Sequence, residues 1–311
     1  MNKTILAIDG GATKTAMTVC DEQGFEFYSA TSTGSNYQVI GEKNVEEIIT
    51  NLLTDAANNL HDWKIDAAIF AIAGIDTVTD LNIVQNIVNR SIAASPLKIE
   101  SYVVENDVEA TLKGLTKELP SALLISGTGA IAYGYAHGKL VRAGGWGHRV
   151  GDEGSGYWIG QQIGRSIFKE VDGRGPKTAL TELILKQLKL ENVDELYSYL
   201  YNTTYTNARL ASLGSTLQQA VNMDDVVAKA IAHDAATELI QLAQIIIKKL
   251  NAQNAPMLFY LNGGVLKNNA CIYDQFYSQM QGLYPKIEFH LCDQQPLFYL
   301  VQRALQLAPG K

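Results

Sequence analysis

A glycine-rich turn near the amino terminus has the residue types of a phosphate-binding loop. It follows the apolar run Ile5 to Ile8, begins with Asp9, and leads into a second run of strand-like residues. Glycines let the backbone approach an anion, N–H groups and threonine hydroxyls can donate to it, and a carboxylate can hold hydrated Mg²⁺. The residues that we expect to contact phosphate are Gly10, Gly11, Ala12, Thr13, Lys14 and Thr15. The pattern predicts a strand, turn and strand that bind Mg²⁺-nucleotide, with Asp9 on the metal.

Two better-known phosphate loops do not fit the spacing of this turn. A Walker loop has glycine directly before its lysine, whereas Thr13 precedes Lys14. A dinucleotide fingerprint continues as a helix, whereas polar and apolar residues alternate from Thr15 to Cys20 with the period of a strand. An ordinary β-hairpin, in which the glycines only make the turn, remains an alternative. The rest of the chain has to decide between these interpretations.

The composition is that of an ordinary globular protein. The 311 residues, 47% hydrophobic and 18% charged, suffice for about two domains with a core in each. The net charge of -7 disfavours nucleic acid or anionic membrane as a partner, because both require a basic surface. The first apolar run is too short for a signal peptide, and no segment has the length of a membrane span. The three cysteines form no CxxC pair, so we expect a cytoplasmic protein.

The chain consists of two halves with similar patterns. The first half reads as three strands followed by two alternations of strand and helix, which indicates a mixed sheet with helical cover. Helices are predicted from about Glu42 to Leu60, from Glu153 to about Val171 and from Val193 to Tyr201. The second half repeats the opening, because the apolar run Ala122 to Ile125 leads into a glycine and threonine turn and two more strands. We therefore expect an α/β protein with two related domains, residues 1–118 and 119–311, and a cleft between them. The boundary should fall near Lys117 to Pro120, and the second domain should carry a helical insertion.

Three further segments complete the candidate site. The second turn contributes Gly127, Thr128 and Gly129, which would hold phosphates from the side opposite the first turn. Gly263 and Gly264 follow a late strand and would let the backbone lie against a nucleoside. A carboxylate follows another strand at position 107, where an acid could act as a base. The first turn and these three segments together indicate a phosphoryl-transfer site more specifically than any one of them does.

Five segments resemble motifs of one protein superfamily. They are DGGATKT, ENDVEA, SGTGA, GGWGHRVGDEGSGYWIG and LNGGV. They are similar to the phosphate, catalytic and adenosine motifs of the actin, sugar kinase and heat-shock chaperone superfamily. Within it, they most resemble the BadF and BcrA type ATPase family, which includes N-acetylglucosamine kinase. The resemblance covers essentially the whole chain, and it implies two ribonuclease H-like (actin-like ATPase) domains with ATP and Mg²⁺ as cofactors.

The resemblance also implies roles for individual residues. Asp107 is the implied base for the proton of a sugar 6-hydroxyl, with a helix N-cap as the alternative role. Asn36 is an implied sugar ligand, although asparagine in a polar loop is also a common turn former. Trp146, Gly147 and Asp152 are the implied wall and hydrogen-bonding groups of the sugar pocket, although tryptophan is more often part of a core.

The function implied is phosphorylation of the 6-hydroxyl of N-acetylglucosamine by ATP, with domain closure on sugar binding. Glucosamine and N-acetylmuramic acid remain alternative acceptors. A rival from another class is an ATPase that activates a radical dehydratase through an iron-sulfur cluster, and another is a nucleotide-binding regulator. The expected partners are a small-molecule amino sugar and a second copy of the chain in a homodimer. The helices from Thr178 to Leu250 could form that dimer interface or an internal core.

Overall fold

The computed structural model describes residues 3–60, 64–116, 118–203 and 205–308. Within these residues the chain forms two compact units. Unit 1 consists of Met1–Thr116 and Asp293–Lys311, and unit 2 consists of Lys117–Cys292. Each unit contains one five-stranded sheet. The expected domain boundary begins at Lys117, which lies outside the described residues.

Unit 1 contains the first strands and helices of the chain. Its strands are β1 (Thr4–Gly10), β2 (Lys14–Asp21), β3 (Glu26–Thr33), β4 (Lys64–Ile65), β5 (Ala67–Ile72), β6 (Lys98–Ile99) and β7 (Tyr102–Glu105). Its first four helices are α1 (Tyr37–Ile40), α2 (Glu42–Leu60), α3 (Val78–Ala94) and α4 (Asp107–Leu115).

Unit 2 contains the second sheet and most of the helices. Its strands are β8 (Ser121–Ser126), β9 (Ala130–Ala136), β10 (Lys139–Gly144), β11 (Met257–Asn262) and β12 (Ile287–Leu291). Its helices are α5 (Gly156–Val171), α6 (Ala179–Leu188), α7 (Val193–Tyr201), α8 (Asn207–Ala211), α9 (Leu217–Asn222), α10 (Val226–Lys249), α11 (Gly264–Asn268) and α12 (Ala270–Leu283), with a 3-10 helix at Ser212–Thr216. The final helix, α13 (Pro296–Leu307), belongs to unit 1.

The two sheets have the same topology. The strand order is β3-β2-β1-β5-β7 in unit 1 and β10-β9-β8-β11-β12 in unit 2. In each sheet the central strand pairs antiparallel with the strand that follows it and parallel with a later strand. Strands β4 and β6 form a separate parallel pair. The mixed sheets confirm the prediction of two related α/β halves, each of which opens with a hairpin.

The sheet of unit 1 is covered by helices on both faces. All residues of β5 are buried, as expected for a parallel strand between two helical layers. Phe70 and Ile72 pack in a cluster with residues of α2 and α3. Ile69 and Ala71 point to the opposite face and pack with residues of α4 and α13.

The C-terminal helix differs from the expected division, which assigned residues 119–311 to the second domain. Leu300 of α13 is fully buried in the cluster on the sheet of unit 1. The Arg303 guanidinium donates two hydrogen bonds to the Glu105 carboxylate, from Nε at 3.0 Å and from Nη2 at 2.7 Å. The last helix therefore completes the first unit, because it supplies the apolar face that covers one side of that sheet.

Among the residues that the structure describes, no helix has both the length and the apolar surface needed to cross a bilayer.

Candidate functional site

The first glycine turn closes a tight hairpin between β1 and β2. The Gly11 N–H donates to the Lys14 carbonyl at 3.0 Å, which leaves Ala12, Thr13 and Lys14 exposed at the tip. Their N–H groups and the Thr13 hydroxyl can therefore meet an anion from solvent. Thr15 is placed differently, since it is buried and its hydroxyl donates to a main-chain carbonyl of β3 at 2.7 Å.

The loop after β3 packs directly on this turn. The Ser35 N–H donates to the Gly11 carbonyl at 3.0 Å. A Cβ on Gly34 would lie 2.2 Å from the Ala12 carbonyl oxygen, and a Cβ on Gly10 would lie 2.4 Å from the Ser35 hydroxyl. Glycine is therefore required at position 34 because two backbone segments meet there, whereas a Cβ at position 10 would displace the side chains of Ser35 and Ile72.

Asn36 follows this loop and caps helix α1. Its Oδ1 accepts the N–H of Gln38 at 3.0 Å. The side chain lies against Gly74, where an added Cβ would be 2.6 Å from the same oxygen. The turn-forming role is thus present, and it uses the oxygen of the Asn36 amide. The role of Asn36 as a sugar ligand stays a prediction.

Asp107 is the first residue of α4, and its carboxylate is not the cap of that helix. The cap is Asn106, whose Oδ1 accepts the Val108 N–H at 3.0 Å. Burial raises the pKa of Asp107 to about 7, and the negative charges of Asp9 and Asp76 add to this rise. The Val108 N–H also bonds the Asp107 carboxylate and opposes the shift. A carboxyl group with a pKa near neutrality is suited to accept a proton from a substrate.

Asp9 lies at the end of β1 in the same unit. Burial raises its pKa to about 6, and the charge of Lys14 works against this shift. In the described residues, no group of three or more His, Cys, Asp or Glu side chains is arranged to hold a metal ion. Mg²⁺ usually keeps several waters and takes only one or two carboxylates together with substrate phosphates. A partly buried carboxylate beside an exposed phosphate turn fits that mode of binding.

The second glycine turn connects β8 and β9 and is braced by the start of α5. The carbonyls of Gly127 and Thr128 accept the N–H groups of Gly156 and Tyr157 at 2.7 and 3.2 Å. A Cβ on Gly127 would have no atom of the described chain within 4 Å. Thr128 is exposed. The turn is thus held in place by hydrogen bonds from the start of α5, and it is open on the side of Gly127 and Thr128.

A cavity of about 490 Å³ in unit 2 opens beside this second turn. It brings Gly127, Thr128 and Gly264 together, as the sequence predicts for a nucleotide site. Its size lies in the range of small-molecule sites. Several other residues line the cavity. Gly156, Ile159 and Val265 belong to quoted motifs but were not predicted as ligand contacts, and Ala211, Gly214, Ser215, Asn268 and Asn269 lie outside those motifs. The only sequence signal for some of them was the run of small residues around Gly214.

Gly263 and Gly264 have different roles. Gly263 has a φ of 99°, and a Cβ there would lie 2.2 Å from the Ser126 carbonyl oxygen. It therefore allows the ends of β8 and β11 to approach each other. A Cβ on Gly264 would lie 3.6 Å from Asn268 Nδ2 at the cavity wall. Gly264 is thus the glycine of this pair whose missing side chain leaves space for a ligand.

Trp146 lies in a glycine-rich loop between β10 and α5. Its side chain is 72% exposed, and the Arg142 guanidinium lies 4.9 Å from the ring centroid. Gly145 and Gly147 flank it with φ of 71° and 83°, a conformation that glycine adopts most readily. The tryptophan is therefore not part of a core, which leaves it free to contact a ligand.

Asp152 connects this loop to the second glycine turn. Burial raises the pKa of its carboxylate, while the N–H groups of Ala130 and Gly147 act in the opposite direction. A Cβ on Gly129 would lie 2.9 Å from Asp152 Oδ2. Asp152 itself has a φ of 63°, which is unusual for a residue other than glycine. The carboxylate thus holds the loop of Trp146 against the second turn.

Sequence and structural comparisons identify relatives of the chain. A sequence model of the BadF/BadG/BcrA/BcrD ATPase family matches residues 6–287. The chain is 32% identical over 289 residues to the N-acetylmuramic acid/N-acetylglucosamine kinase of Clostridium acetobutylicum, which covers 92% of this chain and 93% of that protein. It is 31% identical over 306 residues to the N-acetyl-D-glucosamine kinase of Dictyostelium discoideum, with 93% of each covered. A candidate N-acetylglucosamine kinase from Chromobacterium violaceum has a similar fold, with a TM-score of 0.74 at 20% identity, over 97% of this chain and 99% of that one.

Two sheets of identical topology, each with a glycine turn after its first strand, define the fold of the actin-like ATPases and sugar kinases. The chain belongs to the BadF/BadG/BcrA/BcrD ATPase family. Both findings confirm the resemblance that the five sequence motifs indicated.

Proposed function

We propose that the protein is an ATP-dependent amino-sugar kinase that transfers the γ-phosphoryl group of ATP to the 6-hydroxyl of N-acetylglucosamine. The observation that carries this proposal is the Asp107 carboxylate, which is not used as a helix cap and has a pKa raised to about 7. A nucleotide-binding regulator that transfers no phosphoryl group has no need of such a base. The names of the two sequence relatives support an amino sugar as the acceptor.

Each part of the candidate site has its own role in the proposed phosphoryl transfer. Asp107 orients the acceptor hydroxyl and takes its proton as the new bond to phosphorus forms. The N–H groups of the two glycine turns stabilise the charge that spreads over the phosphoryl oxygens. Mg²⁺, when bound with the nucleotide, supplies positive charge to the same oxygens, and Asp9 is the carboxylate that fits it. The cavity beside Gly127 and Gly264 takes the nucleoside.

Asn36, Trp146, Gly147 and Asp152 are the proposed contacts of the sugar. The exposed indole of Trp146 offers a flat apolar surface to the pyranose ring. A site with polar groups placed for the acetamide would reject sugars that lack it by several orders of magnitude. We therefore expect glucosamine to be a much poorer acceptor than N-acetylglucosamine.

The cysteines argue against the activator of a radical dehydratase. A cluster shared between two subunits requires exposed cysteines at the dimer axis. Cys20 and Cys292 are buried, and Cys271 is partly buried. None of the three lies in the second glycine turn or in the loop of Trp146.

A homodimer in the cytoplasm is the proposed working form. Val226 and Ile245 are exposed apolar side chains on α10, and a second copy could cover them. Size-exclusion chromatography with light scattering measures the mass of the protein in solution directly. A monomer at micromolar concentration would contradict the dimer without affecting the kinase proposal.

Kinase assays with matched variants test the proposed function. The purified protein is supplied with ATP and Mg²⁺, and with N-acetylglucosamine, its 6-deoxy analogue, glucosamine or no sugar. We expect phosphorylation of N-acetylglucosamine only, and a fall of roughly 10² to 10⁴ in kcat for Asp107→Asn. Asp194→Asn, which removes an exposed acid from the first turn of α7, is the control and should retain full activity. Hydrolysis of ATP at one rate with and without sugar would overturn the proposal.

A further inference from the structure

A second and larger cavity, of about 750 Å³, lies within unit 2. Its walls come from α5, from α7 and from the segment that leads to α8. None of the residues proposed above to bind nucleotide or sugar lines it. Much of the wall is aromatic, from Tyr157, Phe168, Tyr201 and Tyr205.

The cavity is positively charged although the protein as a whole carries a net charge of -7. Arg165, Lys169 and Arg174 line it, and no acidic side chain is among the described lining residues. Arg174 is paired with Asp172. Arg165 and Lys169 are one turn apart on α5, and neither has an acidic partner in the described part of the chain. Two like charges at this spacing destabilise a helix, so an anion between them would be favourable.

A helical glycine keeps the wall of this cavity open. Gly164 lies inside α5, where glycine is less stable than alanine. A Cβ at this position would meet only Leu200 Cδ1, at 4.0 Å, so packing does not require glycine there. Gly160, one turn earlier, is different, because its Cβ would lie 2.1 Å from the Leu210 carbonyl oxygen. Helix packing explains Gly160, whereas Gly164 leaves space for a ligand.

Tyr157 connects the cavity to the candidate site. The Tyr205 hydroxyl donates to the Tyr157 hydroxyl at 3.3 Å on the cavity side. The Tyr157 N–H donates to the Thr128 carbonyl of the second glycine turn at 3.2 Å. The Tyr157 ring packs against His148 of the Trp146 loop, with centroids 5.0 Å apart. A ligand in the cavity therefore contacts a residue that supports both the turn and the loop.

We propose that this cavity is a second binding site, for an anionic amino sugar. The aromatic wall takes the pyranose ring, and Arg165 and Lys169 bind the carboxylate or phosphate group. The sugar part of this assignment rests on the proposed function, whereas the anion part rests on the charges of the cavity. Two sources supply this chemistry, namely an amino sugar with a carboxylate substituent, such as N-acetylmuramic acid, and the 6-phosphate product of the kinase reaction.

Titration calorimetry on the full-length protein separates these sources. The ligands are N-acetylmuramic acid, N-acetylglucosamine 6-phosphate, neutral N-acetylglucosamine and inorganic phosphate. The variants are the double substitution Arg165→Gln with Lys169→Gln, the cavity-filling Gly164→Leu, and Lys186→Gln as a control on the exposed surface of α6. We expect at least one anionic sugar to bind at least tenfold more weakly to the first two variants and unchanged to the third.

The affinity for neutral N-acetylglucosamine and its rate of phosphorylation should stay within a factor of two in every variant. The assignment is wrong if both anionic sugars bind and neither cavity variant weakens that binding. It is also wrong if neither anionic sugar binds to the wild type. If inorganic phosphate binds as tightly as the anionic sugars, the cavity is an anion site and the assignment of a sugar to it is wrong. If an anionic sugar binds through Arg165 and Lys169 but no sugar is phosphorylated, the kinase proposal fails and the second site stands.

Discussion

Replacing Asp107 by asparagine should lower the activity and, at neutral and higher pH, raise the free energy of unfolding. The wild-type carboxyl group has its pKa raised from 3.8 to about 7, first by burial and then by the charges of Asp9 and Asp76. The folded protein therefore holds this proton over a pH range in which the unfolded chain has lost it. The stability of the wild type falls as the pH rises through that range and levels off above the folded pKa.

The magnitude follows from the size of the shift. A rise from 3.8 to about 7 corresponds to at most ~4 kcal/mol at pH 8, since one pKa unit is worth ~1.4 kcal/mol. At pH 5.5 only about half of this penalty has developed. The advantage of Asp107→Asn over the wild type should therefore grow by ~2 kcal/mol between pH 5.5 and pH 8.

Urea unfolding followed by tryptophan fluorescence at the two pH values measures this difference. Asp194→Asn serves again as the control, and its difference from the wild type should not depend on pH over this range. If Asp107→Asn is no more stable relative to the wild type at pH 8 than at pH 5.5, the carboxyl group is not held protonated by its surroundings. If Asp107→Asn loses activity but gains no stability at pH 8, Asp107 remains the proposed catalytic base, but the explanation of its raised pKa is wrong.

Further substitutions at three places test other parts of the structure. Arg303→Leu should destabilise the protein by ~2 kcal/mol in urea unfolding, because Glu105 loses the two hydrogen bonds of the guanidinium while it keeps Lys113 at 2.8 Å, and Glu105→Gln in the same chain should recover part of the loss. Gly264→Val should raise the KM for ATP at least tenfold with little change in stability, whereas Gly263→Ala should destabilise the fold, since its Cβ would clash with backbone. Trp146→Ala should raise the KM for sugar but leave the melting temperature within ~2 °C, because the side chain is exposed; a large drop in melting temperature would indicate a structural role instead.

The elements of the fold that have a strong local pattern could be predicted from the sequence. The apolar spacing of α2 predicted a helix from Glu42 to Leu60, and the structure has these bounds. The helix at Val193–Tyr201 is likewise confirmed. The predicted start of another helix was less accurate. The helix expected from Glu153 begins at Gly156, because Ser155 provides the cap and its hydroxyl accepts the Trp158 N–H.

The features that depend on distant parts of the chain could not be predicted. The assignment of α13 to unit 1 follows from contacts of Arg303 and Leu300 with residues far earlier in the sequence, and no local pattern records such a pairing. Two adjacent glycines are a second example of features that the sequence does not distinguish. Gly263 and Gly264 look alike in sequence, but only the structure separates the one that permits a backbone contact from the one that lines a cavity.

The position of α13 has a consequence for how the protein is made. Strand β7 ends at Glu105, and the last helix that covers its sheet begins only at Pro296, after the whole of unit 2. At ordinary rates of synthesis the ribosome needs roughly ten to forty seconds for the intervening residues. During that time one apolar face of the first sheet has α4 but lacks the cover that α13 supplies, whereas unit 2 is already being completed. The nascent chain thus finishes its second unit before its first, and it is during this interval that a chaperone would be most needed.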